Sequence, residues 1–208
     1  MQGDDATLVE PLDRELLRAS FDNGDESATL LIANLAAPTA RHRVLALRGL
    51  VRRGAMDTQR WHAVLADADV EVQRDALEQL AHASDVASAV LDDAMSMLRE
   101  EDALVVDAAA FVMGEHLYAP SVPALIEVAA HHEDARCRES AISSLGALGD
   151  DTALPTIIAA LEDKAPIRRR AIVALSNFEG PEVEAALERA GEDRDWQVRA
   201  AVTQLRDE

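Results

Sequence analysis

The chain has 208 residues, 49% hydrophobic and 28% charged, a composition able to bury a core and too apolar for disorder. A formal net charge of −19 disfavours general binding to nucleic acid or to an anionic membrane surface, and the single cysteine, Cys137, excludes an intrachain disulfide. No apolar run is long enough to span a bilayer, and Met1 to Glu10 lacks the basic and apolar regions of a signal peptide, so a cytoplasmic location is expected.

In chain order, residues 1–24 read as an N-terminal segment with a capping helix near Leu12 to Phe21, and residues 25–208 as one repeat domain without a glycine- or proline-rich linker. Six helix pairs follow. The first members fall near 25–37, 57–67, 85–99, 121–132, 151–162 and 180–191. The second members share a frame: an apolar anchor, arginine one later, alanine four later, leucine or methionine eight later. It is sharpest at Cys137, Arg138, Ala141 and Leu145, and recurs from Val72, Val105 and Ile167, more weakly from His42. The anchors are 30, 33, 32 and 30 residues apart. Apolar residues at such spacing share one stripe of an α-helix. A sixth copy, Val198-Arg199 with Leu205, is one residue short and its register is open.

Punctuation agrees with this division. Asp69, Asp102, Asp134 and Asp195 each stand three residues before an anchor, where a carboxylate caps the first turn. Gly146 and Gly149 read as a helix stop, and Pro123 and Pro181 as helix starts. No strand signal is found, so the fold is all-α, a solenoid in which each pair buries its apolar face against its neighbours.

The run Ala135-Arg136-Cys137-Arg138-Glu139-Ser140-Ala141-Ile142-Ser143-Ser144-Leu145-Gly146, followed by Ala153-Leu154-Pro155 and repeated in pattern over Ala165 to Leu175, resembles HEAT-like repeats of the phycobilisome-lyase type. The resemblance covers about 180 residues and implies a right-handed superhelix with the second helices lining its concave face. It also implies a ladder in which the arginine after each anchor pairs with the Asp at a neighbouring helix start. Arg43, Arg138, Arg168 and Arg199 match, whereas Gln73 and Val106 interrupt it. Such repeats serve scaffolds, cofactor lyases, hydroxylases and glycosylases alike, so the architecture does not name an activity.

No catalytic motif, cofactor motif or phosphate loop is present, and no enzyme activity is expected. His131-His132-Glu133-Asp134 with Glu115-His116 supplies metal-compatible side chains, but neighbours in sequence diverge in space, and no metal site is assigned. The frame positions two and six after the anchor leave the apolar stripe. They read Arg74 and Glu78, Asp107 and Phe111, Glu139 and Ser143, Arg169 and Val173. Charge of both signs around one aromatic suits a peptide or protein partner, contacted by Arg74, Glu78, Asp107, Phe111, Glu139 and Arg169. An alternative basic face gathers in Arg41 to Arg60, with Arg48 and Arg52 one turn apart, for an acidic peptide or phosphate. The expected function is a non-catalytic, monomeric scaffold binding an unidentified protein or peptide on the concave face. The alternative is a lyase-like or chaperone-like assembly factor for a cofactor-bearing or modified protein.

Overall fold

A computed structural model describes residues 11–207; the leader expectation for Met1 to Glu10 lies outside them. Every regular element among the described residues is helical. The described chain divides into two compact units, residues 11–79 with 83–86, and residues 80–82 with 87–207.

In the first unit, α1 (Pro11–Ala19) and α2 (Asp25–Asn34) pack on α3 (Ala40–Arg52), followed by α4 (Thr58–Leu65) and α5 (Val70–Leu80). Leu16, Ala19, Leu31 and Leu50 form a core here, with Leu12, Leu30, Leu35 and Leu45 against it. Asp57 caps α4 by accepting from Arg60 N, and Asp69 accepts from Glu71 N at the start of α5. These carboxylates satisfy amides that the first helical turn leaves open.

The second unit holds α6 (Ser88–Ser96), α7 (Ala103–Glu115), α8 (Val122–His131), α9 (Ala135–Leu148), α10 (Leu154–Ala159), α11 (Ala165–Leu175), α12 (Pro181–Ala190) and α13 (Trp196–Asp207). The second helices stack in series, α7 on α9, α9 on α11 and α11 on α13, while α8, α10 and α12 cover their partners. The anchors Val105, Cys137, Ile167 and Val198 are buried, as are Ala109, Ala141, Ala171 and Val202 four residues on. Val202 settles the register of the sixth copy: it keeps the common frame, with Arg206 rather than Leu205 eight after the anchor. Asp102, Asp134 and Asp195 accept from first-turn amides as the sequence predicts.

One part of the punctuation needs correction. Gly149, at φ 63°, ends α9 in the left-handed conformation that glycine adopts without steric cost, but Gly146 lies inside that helix. A Cβ there would stand 2.6 Å from the Ala174 Cβ and 2.7 Å from its Cα. Gly114 likewise faces Ser144, whose hydroxyl donates to Ala110 O at 2.7 Å. Small residues at these crossings let α7, α9 and α11 approach closely enough for backbone to be met across the interface.

Candidate functional site

The most regular polar feature is a two-sided arginine clamp. Arg43 Nη1 donates to Ala37 O at 2.9 Å, holding the loop before its own helix, while Nε and Nη2 donate to Asp67 at 2.7 and 2.8 Å. Arg138 repeats this with His132 O at 2.7 Å and Asp163 at 2.7 and 2.9 Å. Arg168 does so with Asp163 O at 2.7 Å and Asp193 at 2.8 and 2.8 Å. Planar guanidinium matches carboxylate in this bidentate geometry, which a lysine cannot reproduce. Hydrogen bonds from the arginines hold Asp163 and Asp193 below the usual carboxylate range and raise Arg43, Arg138 and Arg168 above theirs.

The ladder therefore exists, with different acids from those the resemblance implies. The capping residues Asp69 and Asp195 serve their own helices, and the acceptors are Asp67, Asp163 and Asp193, each 24 or 25 residues after its arginine. That spacing is a signal the sequence carries and a search for helix caps passes over. Arg199 holds its own loop through Nη1 to Asp193 O at 2.7 Å, but meets no carboxylate among the described residues.

A second ladder runs along the strip predicted to meet a partner. Arg74 and Glu78 lie in the first unit and pair with each other along α5, at 3.5 Å. Asp107, Phe111, Glu139 and Arg169 all lie in the second unit, on successive second helices. There Ser140 Oγ donates to Asp107, Arg170 lies 3.6 Å from Glu139, and Arg169 donates to Gln197. The charged strip residues thus answer residues on the next helix, which ties the stack and leaves less charge free than the sequence implies. Phe111 and Val173 remain open, 44% and 55% exposed, and the Phe111 ring meets that of His82 edge-on, 6.2 Å between centroids.

The alternative basic face is largely committed to the first unit. Arg48 donates through Nε to the buried Asp75 at 2.8 Å, and Arg52 stacks over Phe21 at 4.3 Å from the ring centre. Arg41 pairs with Asp13 at 2.8 Å, and Arg53 donates to Ala19 O and Gly24 O. The buried Asp13, which sequence reasoning missed, ties α1 to α3 through Arg41 and His42.

Two of the three histidines considered as ligands, His116 and His132, have backbone partners. His116 Nε2 lies 2.8 Å from Leu80 O, and His132 Nδ1 accepts from Asp134 N. Among the described residues no group of three or more His, Cys, Asp or Glu converges as a metal site would require. Cys137 is fully buried with its thiol 3.1 Å from Ala103 O, and burial pushes its pKa up to about 11.

Residues 122–206 match the family model of HEAT repeats. That segment, from α8 through most of α13, carries HEAT repeats. The chain is similar to a designed armadillo repeat protein in complex with the peptide (KR)4, at 13% identity and a TM-score of 0.60, covering 95% of this chain and 99% of that one. It is also similar to the complex of CpcE and CpcF of phycocyanin lyase from Nostoc sp. PCC7120, at 21% identity and a TM-score of 0.62, covering 87% of this chain and 76% of that one. Computationally designed armadillo repeat proteins for modular peptide recognition align at 13% identity and a TM-score of 0.58, covering 94% and 98%. These likenesses show the α-solenoid fold. No curated protein matches the chain in sequence.

Proposed function

We propose that this protein is a non-catalytic scaffold that binds an extended segment of a partner protein across α7, α9 and α11. The observation that carries this reading is the division of labour on that face: its charged residues are answered by the next helix, while Phe111 and Val173 stay exposed beside them. A rigid polar lattice flanking open apolar side chains suits a segment that inserts one apolar residue and aligns its own charges on Asp107, Glu139 and Arg169. Such charge-assisted contacts set register and selectivity more than affinity. Designed relatives of the same fold recognise peptides, one of them the basic peptide (KR)4, and a net charge of −19 favours a segment rich in lysine or arginine here too.

The likeness to the phycocyanin lyase complex supports the alternative, an assembly factor for a cofactor-bearing protein, through the fold alone. The exposed face is common to both readings, and its chemistry favours the first.

The test is selection of displayed peptides on the purified protein, followed by titration of the winners against a Phe111→Ala, Asp107→Asn double variant. Apolar-basic winners that lose at least about tenfold affinity in the variant, with amide shifts on α7, α9 and α11, support the reading. Equal binding by the variant, or shifts confined to the first helices, overturns it.

A further inference from the structure

The crossings of the second helices use one pair of positions in the repeat frame, nine after the anchor on one helix and seven after the anchor on the next. Gly114 faces Ser144 there and Gly146 faces Ala174, so α7, α9 and α11 meet backbone to backbone. Between α11 and α13 the same two positions are Ser176 and Leu205. A leucine in place of serine or alanine props this crossing apart, while Arg169 draws the other ends of the two helices together by donating to Gln197. A crevice of about 160 Å³ opens beside the wedge, lined by Ile172, Val173 and Ser176 of α11 and by Ala201, Gln204 and Leu205 of α13.

Its lining is that of an apolar slot. None of the lining side chains is charged, in a chain where 28% of residues are, and the Ser176 hydroxyl is spent on Val173 O at 2.7 Å. Walls of Ile, Val, Ala and Leu offer methyl groups and neither a ring face nor an ion pair, which fits an aliphatic side chain. An apolar cavity of about 150 Å³ takes up a benzene-sized group, so a leucine enters here and an indole does not. The crevice belongs to α11 and α13 alone. Ser144 and Gly146, which meet α7 and α11, lie about 200° apart around α9. Each second helix thus receives its two neighbours on opposite sides, and nothing stacked on the far side of α13 would fill the crevice.

We propose that this crevice is a specificity subsite of the segment-binding face, receiving a leucine-sized residue of the partner six positions from the one that meets Phe111. The inference rests on binding of an extended segment across α7, α9 and α11, and carries that segment on to α13. Val173 stands at the α11 end of that face and forms a wall of the crevice. Phe111 is six after its anchor on α7, and Val173 is six after its anchor on α11, two helices on. Helices packed about 8–10 Å apart separate the two positions by about 16–20 Å, which an extended chain covers in about five or six residues at ~3.3 Å each. Side chains alternate between the two faces of an extended chain, so the residue that points the same way is the sixth.

The probe is a synthetic lysine-serine peptide carrying two leucines six positions apart, titrated into the intact protein beside peptides with one leucine and with leucines five or seven apart. At spacing six alone, the second leucine should tighten binding at least about tenfold and shift the methyl resonances of Ile172, Val173 and Leu205. Ala201→Leu, which fills the crevice from the α13 wall, should remove that gain and leave the one-leucine peptide bound as before. Equal affinity at all three spacings, or a gain without methyl shifts in the crevice, would overturn the subsite; binding of the one-leucine peptide with shifts at Phe111 would still leave the proposed function standing. Failure of every peptide to bind would overturn both. Dimerisation that moves the Ile172 and Val173 methyls without peptide would give the crevice to a second copy and overturn the choice of occupant. The spacing series needs no variant, so it decides the question even if Ala201→Leu unfolds.

Discussion

Arg168 and Asp193, 25 residues apart in sequence, meet edge to edge at 2.8 Å twice over, with side chains only 6% and 14% exposed. The pair spans two successive helix pairs, and Arg168 Nη1 adds a bond to Asp163 O, so one side chain fixes two loops. Removing it strands a nearly buried carboxylate. Arg168→Gln should lower stability by about 2 kcal/mol, since breaking a buried pair costs more than the pair itself contributes. Denaturant unfolding, with Asp193→Asn and the double variant completing a cycle, measures the coupling.

Acid should act through the same residues. Asp163 and Asp193 have pKa values lowered by their arginines, so in the folded state they release protons more readily than in the unfolded chain. Their contribution is complete above the ordinary aspartate value of 3.8 and is lost as pH falls through it towards the folded values. Melting temperature should therefore hold from neutral pH to about pH 5 and fall below about pH 4. The Arg168→Gln variant should show a shallower fall over that acid range.

At Gly146 two effects oppose each other. Alanine raises helix propensity by about 1 kcal/mol over glycine in a helix interior. Its Cβ would meet the Ala174 Cα at 2.7 Å, and backbone cannot yield without separating α9 from α11. The clash wins, and Gly146→Ala should destabilise by about 1 to 3 kcal/mol. A thermal melt above that of the native protein would show that the helices can part at little cost.

Cys137 should be chemically silent while the protein is folded. With a pKa of about 11, only about one thiol in a thousand is ionised at pH 8, and the side chain is fully buried. Reaction with a disulfide reagent should be slow in buffer and rapid in denaturant, at a rate that follows opening of the second unit.

Phe111 carries recognition in the proposed function and little of the fold. Exposed by 44% and meeting the His82 ring edge-on, it should be replaceable by alanine at a cost of about 0.5 to 1 kcal/mol. Circular dichroism and melting of the Phe111→Ala protein check this before any binding loss is ascribed to the surface.

The sequence by itself determined what depends on neighbours within a turn or two of helix. The stripe through Cys137, Ala141 and Leu145, the caps at Asp102, Asp134 and Asp195, and the helix stop at Gly149 follow from 3.6 residues per turn and from amides the first turn leaves unpaired. Only the tertiary structure decided what depends on how one helix pair is offset against the next. That offset brings Arg168 to Asp193 rather than to Asp195, sets Gly146 against Ala174 inside a helix, and gives Asp107 to Ser140 and Glu139 to Arg170. Residue spacing along one helix fixes the face on which a side chain lies. The loop lengths and crossings that choose its partner on the following helix are set by the packing of both, and through them the structure separates charges spent on the stack from side chains such as Phe111 and Val173 that stay open.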